Sequence, residues 1–347
     1  PDSLKVGKNY VLGQVSDDYG LSKLQIVYYP KEKPNVAKRG TIAVKRDVFD
    51  QFVFAFPSNL PVEEGVNYEY YFEIFDNDAI HNFKSTKSSV FSSRIETESE
   101  KQDEMLQQQN DNINSLSKSL KAQDKQLSEM DKLQKMGKEK DELEYKEQQK
   151  INDFLQRQKQ QDELMKEFSE KMKDNLEKFN PDKKDAEKEM LQERLEKSQK
   201  ELEKNQKLLD ELKKLNDKIS KEEFFEKMDK YKQNSKNQKK SLEQLLELTK
   251  KYYVEKKAEQ IADKLDKLSE KQDKLSENQK DNTSEKQEEI NKEFDKIQEE
   301  LNNLEKDNKE LKSPMDLPKT DEKEKSIDED LKGAKDQLQK QNQDKAK

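Results

Sequence analysis

From Leu191 to Ile219 the chain keeps a helical seam without a slip. Leu191, Leu195, Ser198, Leu202, Asn205, Leu209, Leu212, Asn216 and Ile219 follow one another at alternating steps of four and three. That spacing holds one narrow stripe of a helix against one partner, since two helical turns take close to seven residues. Three of these nine positions are polar. A polar residue in such a seam gives up stability and fixes register or partner number. Few folds other than helices packed along narrow seams can use this pattern.

Composition makes narrow seams necessary. Of 347 residues, 29% are hydrophobic and 42% are charged, which is too lean for a core of ordinary thickness along the whole chain. Helices with a 3-4 seam use the fewest apolar residues per turn, and their periodicity separates them from disorder. The 69 basic and 77 acidic residues are finely interspersed and leave a net charge of −8. No stretch carries the one-signed basic face of a nucleic-acid binder. Arg occurs only at 39, 46, 94, 157 and 194, which disfavours bidentate phosphate recognition. With no Cys, disulfide, zinc–thiolate and cysteine-nucleophile chemistry are excluded. No apolar run approaches the roughly 18 residues that a bilayer span needs. A chain opening on Pro1 reads as a fragment or a processed product of a longer parent.

The character of the chain changes near residue 95. Five of seven Gly and five of eight Pro fall in the first 65 positions, and 15 of 25 aromatics precede residue 95. Turn formers between aromatic and β-branched runs predict a compact β domain over 1–95. Six strands are expected, at about 9–16, 22–30, 40–46, 50–57, 67–76 and 87–95. Alternation is clearest in Leu24, Ile26, Tyr28 and in Phe52, Phe54, Phe56. The run from Leu60-Pro61 through Gly65 to Tyr68 resembles the tyrosine corner of immunoglobulin-like and fibronectin-like sandwiches. Such sandwiches have about seven strands, so a first strand is expected either upstream of Pro1 or within residues 3–7.

Beyond Ile95 the period becomes helical, and antiparallel coiled-coil arms are expected over 96–312. One run holds Leu106, Gln109, Ile113, Leu116, Leu120, Gln123, Leu127 and Met130. A second holds Ile151, Phe154, Gln158, Gln161, Met165, Phe168, Met172, Asn175 and Phe179. Turns are expected near 180–182 (Asn-Pro-Asp), near 219–221 (Ser220 and Glu223 as a capping box) and near 282–284 (Asn-Thr-Ser). The last seam is Ile290, Phe294, Ile297, Leu301, Leu304, Asn308, Leu311, ended by Pro314 and Pro318. Residues 313–347, highly charged and poor in apolar side chains, are expected to be a mostly disordered tail with marginal helix near 331–338.

Little here suggests catalysis. The single histidine, His81, has no second His for a triad or metal site, and no nucleophile-elbow or phosphate-loop glycine pattern occurs. A non-enzymatic chain without a cofactor is expected. One acidic constellation bears weighing: the loops after the first, third and fifth strands lie at one end of such a sandwich. They carry Asp17 and Asp18, Asp47 and Asp50, and Asp76, Asn77 and Asp78. Converging carboxylates can hold Ca²⁺, which takes six to eight oxygens. The competing role is local, each Asp turning back onto its own backbone amides.

The segment G-Q-V-S-D-D-Y-G-L-S-K-L-Q-I-V-Y-Y at 13–29, with N-Y-E-Y-Y-F-E-I-F-D-N-D-A at 67–79, resembles a β-sandwich repeat of large Gram-negative envelope proteins. The chain looks like a piece of the family called domain of unknown function 4175. That resemblance implies a membrane-tethered parent anchored outside this chain and facing the periplasm. It brings no activity and no functional residues with it.

A structural role follows as the expectation, with the helices as a spacer or interaction rod that binds protein partners or self-associates. Its interaction seam would be Leu191, Leu195, Leu202, Leu209, Leu212 and Ile219, with Ile290, Phe294, Ile297, Leu301 and Leu304. The alternative is a β-sandwich that recognises a partner protein or a glycan, assisted by Ca²⁺.

Overall fold

Up to residue 94 the alternation of large apolar and polar residues produces antiparallel strands, as a pleated backbone sends successive side chains to opposite faces. The computed structural model describes residues 9–80, 83–139, 144–178, 185–216, 221–278 and 282–340. The chain divides into two compact units, Pro1–Lys101 and Gln102–Lys347.

In the first unit the strands are β1 (Asn9–Ser16), β2 (Leu21–Pro30), β3 (Lys38–Ile42), β4 (Phe49–Phe56), β5 (Asn67–Asp76), β6 (Ser85–Lys87) and β7 (Phe91–Arg94). β1 and β4 form a two-stranded sheet. The other sheet runs β3-β2-β5-β6, with β7 also paired to β5. The last strand, expected to be continuous over 87–95, is two pieces on opposite ends of β5. Ser88 explains the gap: its N–H donates to the Phe72 carbonyl at 2.9 Å, while its hydroxyl accepts from Phe72 N–H at 2.9 Å. A side-chain oxygen thus takes the place of a ladder carbonyl.

The two sheets share one core. Leu24, Ile26 and Tyr28 of β2 and Tyr68, Tyr70 and Phe72 of β5 meet Phe52 and Phe56 of β4. Phe56 stacks on Tyr70 with centroids 4.4 Å apart. Gly13 lets β1 pass over Phe52; a Cβ there would lie 2.3 Å from the ring. The place proposed for a first strand, and His81, lie outside the described residues.

The second unit is built of helices, and the first turn of its opening helix, residues 98–101, falls within the first unit. The helices are α1 (Glu98–Glu139), α2 (Tyr145–Lys178), α3 (Ala186–Asn216), α4 (Lys221–Glu277), α5 (Ser284–Lys309) and α6 (Asp321–Gln339). Apolar side chains of α1 to α4 form two clusters. One joins Leu106, Leu116, Met165, Met172, Leu191, Leu202 and Leu245, among others. The second joins Met130, Ile151, Phe154, Leu212, Phe225 and Met228. Cross-links fix the direction of α3 against α4: Glu187 with Lys251, Arg194 with Gln244, Asn205 with Gln238, and Glu211 with Lys227. One number rises as the other falls, so the pair is antiparallel. The same holds for α1 against α4, through Asp103–Lys264, Asp124–Lys239 and Asp131–Lys232. A third cluster packs the later part of α4 against α5 and α6, through Ile261, Leu268, Ile290, Phe294, Ile297, Leu304 and Leu331.

Several helix ends have visible causes. Thr97 and Glu100 form a reciprocal box at the start of α1: Thr97 N–H donates to Glu100 Oε2 at 2.9 Å, and Glu100 N–H donates to Thr97 Oγ1 at 3.2 Å. Asp185 caps α3 by accepting from Glu187 and Lys188 N–H. Thr283 caps α5, accepting from Lys286 N–H at 3.3 Å. Residues 180–182 and 219–220, expected as turns, lie outside the described residues.

The tail departs from expectation. Residues 321–339 form α6 instead of a mostly disordered segment. Leu331 and Leu338 are buried, Asn291 Nδ2 donates to the Leu331 carbonyl at 3.3 Å, and Lys335 pairs with Glu288. The approach from α5 is also tied down. Asn308 donates Nδ2–H to the Met315 carbonyl at 2.9 Å and accepts Met315 N–H at 2.8 Å. Two buried leucines and one clamped loop supply what composition hides.

Candidate functional site

Polar side chains gather in two places: the acidic loops of the β unit, and the middle of the α1–α4 bundle.

The loops do meet. Asp17 N–H donates to the Val48 carbonyl at 2.9 Å, Leu21 N–H to Asp47 at 3.0 Å, and Asn77 N–H to Gly20 at 3.0 Å. Asn77 Nδ2 donates to the Tyr19 carbonyl at 2.6 Å. Gly20, with φ of +119°, permits this approach; a Cβ there would stand 2.9 Å from Asn77 Nδ2. The carboxylates themselves turn to nearby amides. Asp17 accepts from Tyr19 and Gly20 N–H, Asp47 from Val48, and Asp76 from Asp78. Asp50 accepts from Lys45 and Gln51 N–H, and the Lys45 amide bond holds its carboxyl below the usual range. Asp18 sits in the same turn as Asp17. Among the described residues no three acidic or histidine groups converge where a metal ion could sit. Each of these contacts gives an Asp a local backbone partner, as in Asx turns. Beside them an open cavity of about 770 Å³ is lined by Tyr19, Lys23, Arg46, Phe75 and Asn77.

Where β7 hands over to α1, Arg94 forks onto Glu100 at 3.0 and 2.8 Å. The Arg94 bonds, helped by Thr97 N–H, hold the Glu100 carboxyl down at about 2.

The seam residues are buried within the chain. Leu191, Leu195, Leu202, Leu209, Leu212, Ile290, Phe294, Ile297 and Leu304 are all buried, and Leu301 is partly buried. Ile219 lies outside the described residues. Of the polar seam positions, Ser198 and Asn205 are buried, and Asn205 Nδ2 donates to Gln238 Oε1 at 2.6 Å.

Asn205 belongs to a feature that sequence reasoning missed. Between the two apolar clusters of the bundle, all four helices contribute polar side chains at one level. Tyr231 Oη donates to Gln158 Oε1 at 3.1 Å, and Gln123 Nε2 donates to the Ser235 carbonyl at 3.4 Å. Asp162, only 5% exposed, lines the same small cavity of about 10 Å³ with Ser119, Gln126, Gln161 and Gln238. Its Oδ2 and Gln158 Nε2 have no hydrogen-bond partner among the described residues. Burial pushes the Asp162 carboxyl up to about 7. Burial, followed by the Asp162 charge, pushes the Tyr231 hydroxyl far up.

A signal for this band exists in the sequence. Phe224, Met228, Tyr231, Ser235, Gln238, Leu242, Leu245, Thr249 and Tyr252 keep steps of four and three along α4, and all are buried.

Compared with protein-family models, curated proteins and solved structures, the chain matches none of them. Among the described residues no helix is long and apolar enough to cross a membrane.

Proposed function

We propose that this chain is a non-enzymatic structural segment of a bacterial envelope protein. In this reading an immunoglobulin- or fibronectin-like β-sandwich carries antiparallel coiled-coil arms that act as a spacer or interaction rod. The observation that carries it is the closure of the helical seams on one another, with charged side chains left at the surface. Such a design spends its apolar residues on self-packing.

The strand order supports the sandwich. One sheet pairs β1 with β4 and the other runs β3-β2-β5-β7, the arrangement of strands B and E against C′, C, F and G in that fold. Tyr68 on β5 adds the corner contact, its hydroxyl accepting from Glu63 N–H at 3.1 Å. The heptad steps in α3 and α4 support the coiled-coil description. The membrane-tethered, periplasm-facing setting rests on the resemblance of residues 13–29 and 67–79 to envelope repeats.

Complementation of a gene deletion tests the reading. Exchanging exposed Lys and Glu on α2 and α3, with the seams kept, should leave the parent's phenotype rescued. Loss of rescue by a folded exchange variant would show that the helical surface is read in detail and contradict the spacer role.

A second reading is favoured by exposed apolar side chains on the β unit. Tyr19 is 85% exposed, and Leu12 and Val53, facing each other across β1 and β4, are 72% and 66% exposed. Such a surface suits a partner protein or a glycan that stacks on aromatic rings. Here Tyr19→Ser with Leu12→Ser should abolish rescue while the helical exchanges do not.

A further inference from the structure

The polar band through the four-helix bundle has a chemistry that packing does not explain. A bundle that needs only register could place amides at this level, and Gln123, Gln158, Asn205 and Gln238 do so. Asp162 is different because its side chain can carry a charge. It sits on α2 between two apolar clusters, 5% exposed, with one carboxyl oxygen unpartnered. From α1 it faces Ser119, Gln123 and Gln126; from α4 it faces Tyr231, Ser235 and Gln238. Its own helix adds Gln158 and Gln161, and from α3 Asn205 reaches the level through Gln238. Tyr231 is the titratable group in this set, and it stays neutral. The nearby ion pairs Asp124–Lys239 and Arg157–Glu129 are held on partly exposed side chains and do not touch Asp162.

We propose that Asp162 is a protonation-controlled latch: protonated, it lets the polar band close, and ionised, it loosens the middle of the bundle and admits water. An ionised carboxylate without a partner is costly in an apolar interior, whereas a carboxylic acid can donate to a neighbouring amide oxygen. The direction follows from linkage. The closed state holds its proton up to about pH 7, while an opened, solvated Asp loses it near its ordinary value of about 4. Opening therefore grows more favourable as pH rises through that window, by up to about tenfold per pH unit, and levels off above it.

Hydrogen exchange followed by mass spectrometry on the full chain tests this, with rates corrected for the intrinsic pH dependence of exchange. In the wild type, peptides spanning 155–169 and 231–242 should lose protection by about tenfold per unit between pH 5 and 7. Peptides of β2 and β5 should hold theirs. Asp162→Asn, which keeps shape and cannot ionise, should abolish that slope. A flat wild-type profile, or an unchanged slope in Asp162→Asn, overturns the proposal. Should Asp162→Asn fail to fold, a ¹³C carboxyl titration of the wild type decides. An Asp162 resonance titrating near pH 4 overturns the latch, and one titrating close to 7 supports it.

Discussion

Replacing Tyr68 with Phe removes one atom from the best-defined corner of the β unit. The ring stays, with its neighbours Tyr28 and Phe56 at centroid distances of 6.2 and 6.2 Å. What disappears is the hydroxyl that accepts Glu63 N–H at 3.1 Å. A hydrogen bond of this kind contributes about 0.5–1.5 kcal/mol net, and a stranded, partly buried amide pushes the loss to the upper end. For a unit of this size, about 1 kcal/mol lowers Tm by roughly 4–8 °C. Tyr68→Leu should lose more, since each aromatic pair adds about 0.5–1.5 kcal/mol beyond area burial. Near-UV circular dichroism suits the assay, because 15 of the 25 aromatics precede residue 95. Exchange of the Glu63 amide should also accelerate in Tyr68→Phe. Were its Tm and that amide both unchanged, the corner would contribute nothing, and the sandwich reading would lose its most specific support.

Other outcomes follow from the same packing. Phe154, fully buried between Met130, Ile151 and Phe225, should cost about 3–5 kcal/mol when cut to Ala; a loss below about 1 kcal/mol in 222 nm melts would show that this cluster is not closed. Titrating the full chain with millimolar Ca²⁺ in a calorimeter should give no saturable heat, since Asp17, Asp47, Asp50 and Asp76 already accept backbone amides. A saturable signal that Asp17→Asn with Asp47→Asn removes would overturn that assignment.

How much could be read in advance depended on which residue types marked a feature. Strands rich in Phe and Tyr alternate openly, and β2, β4 and β5 lie close to their expected positions. Leu191 to Leu212 announces its buried stripe because most of the stripe is leucine. The matching stripe of α4 is harder to see, as Ser235, Gln238 and Thr249 occupy buried positions that a search for apolar residues passes over. Asp162 is hidden for the same reason: a charged residue among Lys, Gln and Glu reads as surface until side chains of α1 and α4 close over it. α6 buries only Leu331 and Leu338, too little to outweigh its charge. The Thr97-x-x-Glu100 box was present in the sequence and mechanistically recognisable. The acidic loops pose a different problem. Turn-making and ion-binding aspartates look alike in sequence, whereas the structure shows which backbone amides each carboxylate accepts.

The central claim is that the helical seams close within one chain. Size-exclusion chromatography with light scattering, run from about 1 to 100 μM, tests it directly. The account predicts the monomer mass of 41.1 kDa throughout that range. A dimer mass persisting at the lowest concentration would mean that the seams pair between chains, and the intramolecular bundle would be wrong.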